Sequence, residues 1–199
     1  MAIRRFGNSS ITSAGGKSSK FWDQETSLGT FESIATATVD SSGVSSITFS
    51  NIPQNYAHLQ IRGIGRVDRA GYAQNGCRIR LNGDSNSNYA FHQLYGNGSS
   101  IGSEGYASQT EMNLGELPSV LAASGIFGAV IVDILDYSNT SKNTTIREIG
   151  ANDRNGAGQI GYNSGLWLNT AAVTSITLLE TASNWVQYTN FALYGIRGA

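Results

Sequence analysis

Gly76-Cys77-Arg78-Ile79-Arg80-Leu81-Asn82-Gly83-Asp84 is the stretch that decides the fold. Cys77, Ile79 and Leu81 fall on one side of an extended chain and Arg78 and Arg80 on the other. This is the period of two that a half-buried β-strand imposes, and Asn82-Gly83-Asp84 then turns the chain. The same period runs outward in both directions. Tyr89 to Tyr95 follows with aromatic residues at alternate positions. Upstream, Leu59, Ile61 and Ile64 alternate with His58, Gln60 and Arg62 after a break at Asn51-Ile52-Pro53-Gln54-Asn55. Phe31 to Val39 and Val44 to Phe49, joined by Asp40-Ser41-Ser42-Gly43, read as a first β-hairpin.

Downstream, Gly96 to Ala123 is rich in Gly and Ser and reads as a long loop holding a short helical or strand piece. Ile126 to Leu135 is the most hydrophobic run and is apolar on both faces. It is expected to be a central strand covered on both sides, or one whose outer face meets another subunit. Thr144 to Ala151, Gln159 to Leu168, Val173 to Leu179 and Trp185 to Arg197 complete a series of about ten strands with Gly/Asn/Ser turns and no helical period. The expectation is an all-β chain, a jelly roll or two-sheet antiparallel β-sandwich.

Length and charge sharpen that reading. The 199 residues suffice for one domain with a substantial core. Charged residues make up 14%, against roughly 25% in an ordinary soluble domain. A weakly charged exterior rich in Asn, Ser and Thr suits a surface partly covered by neighbours, because little charge repulsion keeps copies apart. Four of the 13 basic residues but none of the 14 acidic ones lie before Trp22. Residues 1–24 are therefore read as an extended basic N-terminal arm and 25–199 as the sandwich. Arg4, Arg5, Lys17 and Lys20 supply the arm's charge, and Ile3, Phe6 and Ile11 are isolated apolar pegs among small polar residues. Such a segment cannot bury itself and is expected to order on a partner.

Residues for chemistry are sparse. The single cysteine, Cys77, excludes an intrachain disulfide and sits in the strand pattern as a small buried hydrophobe. His58 and His92 fall within strand patterns and read as hydrogen-bonded sheet residues. No zinc, redox, nucleophile-elbow or P-loop motif occurs, and Gly63-Ile64-Gly65 lacks the following helix that a dinucleotide fingerprint needs. Asp133 and Asp136 are spaced to point to opposite faces of a strand, which argues against a glycosidase pair. Asn82 to Asn88 is a calcium-like loop without the closing glutamate, so Asx turns are favoured there. Trp22, Trp167, Trp185, Tyr95, Tyr106 and Tyr162 are aromatic candidates for sugar or partner contact. No enzyme activity, catalytic residue, metal or cofactor is expected. The near-neutral charge argues against a nucleic-acid partner. No apolar segment reaches the roughly 18 residues of a membrane span, and no apolar run follows the N-terminal arginines as a secretory signal would require.

Two segments carry a resemblance. Ala2-Ile3-Arg4-Arg5-Phe6 with Lys17-Ser18-Ser19-Lys20-Phe21-Trp22-Asp23-Gln24, and Phe191-Ala192-Leu193-Tyr194-Gly195-Ile196-Arg197-Gly198, resemble virion structural proteins of tailed bacteriophages of aquatic bacteria. Phe31 to Thr36, Phe49 to Pro53, Tyr56 to Arg62 and Val132 to Tyr137 are similar in pattern, so the likeness runs through nearly the whole chain. It implies a jelly-roll body on a particle assembled in the host cytoplasm, anchored through its N-terminal segment. The leading expectation is a capsid decoration or cement protein, a homotrimer. Its arm residues Ile3, Arg4, Arg5, Phe6, Lys17 and Lys20 would bind the major capsid protein or another virion protein. The alternative is a tail or head-fibre adhesin whose loops at 96–123 and near Trp167 bind a glycan. A depolymerase ranks below both for want of an acid/base pair.

Overall fold

The computed structural model describes residues 30–180 and 182–198, and the compact unit it defines begins at Phe31. Twelve strands lie among the described residues. In chain order the first six are β1 (Phe31–Thr38), β2 (Ser46–Phe49), β3 (His58–Gly65), β4 (Gln74–Leu81), β5 (Tyr89–Gly96) and β6 (Ile101–Gln109). The second six are β7 (Met112–Pro118), β8 (Gly128–Leu135), β9 (Thr144–Asp153), β10 (Gly158–Trp167), β11 (Ile176–Leu179) and β12 (Asn190–Ile196).

Eight of these strands pair in nested order. β1 joins β12, β2 joins β11, β3 joins β8 and β4 joins β7, all antiparallel. The nesting is that of one long hairpin folded back over itself, which is the jelly roll. Two hairpins are inserted into it, β5–β6 between β4 and β7 and β9–β10 between β8 and β11. Both extend the same sheet, giving β1-β12-β3-β8-β9-β10-β5-β6 against the smaller β2-β11-β4-β7. The larger sheet therefore runs past the edge of the smaller one at β7.

Alternation sets which side chains meet between the sheets. In β4, Cys77, Ile79 and Leu81 are buried, as their spacing predicts. From β3, β8 and β12, Leu59, Ile61, Val132, Ile134 and Leu193 face them with no exposed surface. Full burial of each such aliphatic side chain contributes about 1.5–3 kcal/mol. The two tryptophans Trp167 and Trp185 close the core, Trp185 edge-on to Phe191 at 5.2 Å between ring centroids.

Three expectations need correction. The reversal at Asp40–Gly43 is present, with Gly43 N–H bonded to Asp40 carbonyl and Ser42 N–H to the Asp40 carboxylate. Yet β1 and β2 do not pair with each other: they enter different sheets. A turn sequence dictates where the chain reverses, while the partner is decided by which sheet buries Ile47 and Phe49. Second, most of Gly96 to Ala123 is strand, not loop. Its glycines admit cross-strand neighbours: a Cβ on Gly102 would sit 2.4 Å from the Tyr95 ring and one on Gly105 2.9 Å from the His92 ring. Third, Ile64 does not share a face with Leu59 and Ile61. Strict alternation puts it on the outside of β3, and Gly63 and Gly65 face inward instead, leaving room for Phe191, Leu117 and Trp185.

Candidate interaction face

The outer face of the eight-stranded sheet carries the least ordinary surface of the molecule. β8 alternates strictly, with Val130, Val132 and Ile134 inward and Ile131 outward. Register then carries the apolar character sideways: Ile131 stands opposite Ile149, Ile149 opposite Tyr162, and Tyr162 opposite Leu94. Two residues along each strand, a second row runs Ile64, Ala129, Ala151, Ile160, Gly96 and Ile101. Because i and i+2 share a face, both rows point outward together. The first crosses four adjacent strands and the second six.

Seven large apolar side chains of these rows are between 39% and 82% exposed. Together they present on the order of 700 Å², beyond the roughly 300–600 Å² of the largest apolar patch on a typical monomer. At one end Leu94, Ile101, Ile160 and Tyr162 line a shallow apolar depression. Along one side lies a polar border. Gln60 donates to Asp133 at 2.7 Å, Arg147 reaches Asp133 at 3.3 Å, and Arg62 donates to Gln60 at 2.8 Å. Arg62 and Arg147 outnumber Asp133 at this border, so it carries a small positive excess beside two rows that are themselves uncharged. Of the two alternatives for the 126–135 run, cover on both sides is not what the described residues provide: the outer side of β8 lies open among them.

The other sequence candidates fall elsewhere. Ile3, Arg4, Arg5, Phe6, Lys17, Lys20 and Trp22 lie outside the described residues. Trp167 and Trp185 are buried, which removes them as surface platforms. Asp133 belongs to the border above, while Asp136 pairs with Lys142 and donates its backbone N–H to Nδ1 of His58 at 3.0 Å. His92 is exposed on the outside of β5. Asp84 is engaged in Asx turns, accepting from the Asn86 N–H and from the side chains of Asn86, Asn88 and Trp167. Cys77 is fully buried, and burial pushes its thiol well up from the ordinary value.

Two buried carboxyl groups escaped the sequence reading. Glu148 lies inward on β9 with 1% exposure, accepting from Asn163 at 2.6 Å. Burial pushes its pKa up to about 8, against the lowering effect of that hydrogen bond. Glu180 is also raised to about 8 by burial, with Arg78 opposing, and accepts from Asn75 at 2.5 Å. The period-two pattern of β9 was the available signal, since Glu148 falls on the same side as Ile146. Sealed from solvent, Glu148 is placed to hold a proton within the core rather than to exchange it with a substrate.

No family model matches the chain, and no curated protein matches it either.

Proposed function

We propose that the chain is a virion structural protein of the tailed-phage type, a capsid decoration or cement protein that works as a repeated part. In this reading the basic N-terminal segment docks on the shell, and the outer face of the eight-stranded sheet packs against a neighbouring copy in a homotrimer. The observation that carries it is the two-row apolar face from Ile64 to Ile101. Its roughly 700 Å² is close to the roughly 800 Å² that one partner gives to a standard interface. A second copy is the occupant because the two rows carry no charge of their own and their border offers the next copy both an acid, Asp133, and a base, Arg147. A strongly charged partner would find no counter-charge within the rows themselves. The 14% charge content points the same way, since it leaves copies little mutual repulsion.

The test is incorporation into particles. A chain lacking the residues before Phe21 is expected to fold and to be missing from purified particles, while the full chain is present in hundreds of copies. Normal incorporation of the truncated chain would overturn the docking role. A count of a dozen or fewer copies would favour the second reading, a tail or head-fibre adhesin, for which the polar cleft described next is the supporting observation.

A further inference from the structure

The overhang of the larger sheet creates a second kind of surface. The apolar core ends near Phe91 and Met112, and beyond them, at the β7 edge, the overhanging strands border a polar cleft. The cleft is lined from β5, β6 and β10 by Gln93, Tyr95, Glu104, Tyr106 and Gln159, and from the smaller sheet by Arg78, Asn113 and Glu116, which project from the side of β4 and β7 opposite to Cys77, Met112 and Leu114. The space between them is about 400 Å³, within the roughly 300–1,000 Å³ of small-ligand sites.

Carboxamides bridge the two sheets here. Asn113 of β7 donates to Gln93 of β5 at 3.1 Å, and Gln74 of β4 donates to Gln159 of β10 at 3.1 Å. Glu104 is held as an acceptor by three donors: Tyr95 at 3.1 Å, Gln93 at 3.5 Å, and Tyr106. Tyr106 in turn packs on Phe91 with ring centroids 4.9 Å apart, which fixes an aromatic wall on the cleft. Two polar atoms at this end remain unsatisfied. Arg78 Nε, 4.0 Å from Glu111, and Asn113 Oδ1 are buried without a hydrogen-bond partner among the described residues. Orphaned buried groups are costly, and a polar occupant that lets this end of the sandwich rearrange would relieve that cost.

We infer that this cleft binds a neutral, hydroxyl-rich ligand, a short saccharide. The lining selects that class. An apolar ligand would strand the carboxamides. An anionic one would face Glu104 and Glu116, and a cationic one would meet Arg78 and find Glu104 already engaged by Gln93, Tyr95 and Tyr106. A sugar hydroxyl both donates and accepts, which matches Gln and Asn side chains, and the C–H face of a pyranose fits an aromatic wall such as Tyr106 on Phe91. The inference stands apart from the assembly reading, because the cleft lies at the β7 edge and shares no side chain with the apolar outer rows.

The experiment is a glycan array carrying neutral and anionic oligosaccharides, probed with the full chain, followed by calorimetric titration of the strongest neutral oligosaccharide. The expected result is retention of neutral oligosaccharides, with affinity lowered about tenfold or more by Tyr106→Ala and by Gln93→Ala and unchanged by Tyr72→Ala, an exposed tyrosine outside the cleft lining. Tyr106 lies on the exposed edge strand, so its variant is expected to keep the parent's thermal transition, which is measured alongside. Retention of anionic glycans alone, no retention of any neutral glycan, or binding indifferent to both cleft substitutions would each overturn the inference.

Discussion

The indole N–H of Trp167 donates to Oδ2 of Asp84 at 2.8 Å, tying the end of β10 to the turn that follows β4. The turn itself is built by Asn82 and Gly83, both with positive φ, 51° and 66°, closed by the Asp84 N–H on the Leu81 carbonyl. One carboxylate thus organises the 84–88 loop and satisfies a tryptophan that is otherwise buried.

Asp84→Ala should therefore be costly for a loop residue. It removes acceptors for Asn86 and Asn88 and leaves the Trp167 N–H unpaired, an expected loss of about 2–3 kcal/mol by urea denaturation. Burial of Asp84 works against ionisation, but the hydrogen bonds from Asn88, the Asn86 backbone, Trp167 and the Asn86 side chain outweigh it and hold the pKa down to about 2. The folded pKa lies below the unfolded one. This stabilisation is present above the ordinary aspartate value of 3.8 and disappears as pH falls toward 2. Asp84→Ala should show a shallower acid limb of stability than the parent.

Glu148 predicts the opposite slope at higher pH. Its folded-state pKa of about 8 lies above the 4.5 of a free glutamate, so between those values folding takes up a proton and stability falls as pH rises. Glu148→Gln removes that titration, and its amide N–H is available to Asn163 Oδ1, which lacks a partner among the described residues. At pH 5 the variant should match the parent. At pH 8 it should be more stable by about 1–3 kcal/mol, read from denaturation midpoints at the two pH values. Equal midpoint differences at pH 5 and pH 8 would rule out this assignment.

Gly63 tests the packing of β3. A Cβ there would lie 2.1 Å from Cδ1 of Phe191, a ring with no freedom to retreat because it is fully buried. Gly63→Ala is expected to lower stability by about 1–3 kcal/mol. Gly96→Ala is the control: its nearest neighbour would be 3.7 Å away. Thermal denaturation of the pair separates the two cases.

The outer face predicts association without a change in fold. Ile131→Lys and Ile149→Lys put charges at adjacent positions of one row, where both side chains are already exposed. Monomer stability should fall by about 1 kcal/mol or less, since the lysines stand directly opposite each other and beside Arg62. In sedimentation velocity the parent should run as an oligomer and the doubly substituted chain as a monomer. An unchanged sedimentation coefficient would show that copies meet through another surface.

How much of this was legible beforehand can be judged from particular residues. Alternation in Cys77 to Leu81 and the Asn82-Gly83 turn could be read directly, because strand period and turn chemistry are local properties of the chain. The all-β class followed from repeating that reading. The 101–109 strand was masked by glycines whose purpose lies on the neighbouring strand, at Tyr95 and His92. Trp167 looked like a surface candidate until its partner, 83 residues earlier, was in place.

Which residues alternate, where the chain reverses and how little charge it carries were properties of the sequence alone, since each depends on neighbours a few positions apart. The nested pairing, the assignment of β1 and β2 to different sheets, the alignment of Ile131, Ile149, Tyr162 and Leu94 into one row, and the convergence of Gln93, Glu104 and Asn113 on one cleft required the tertiary structure. Register between strands distant in sequence is chosen by the burial of the whole core, and no local pattern encodes it.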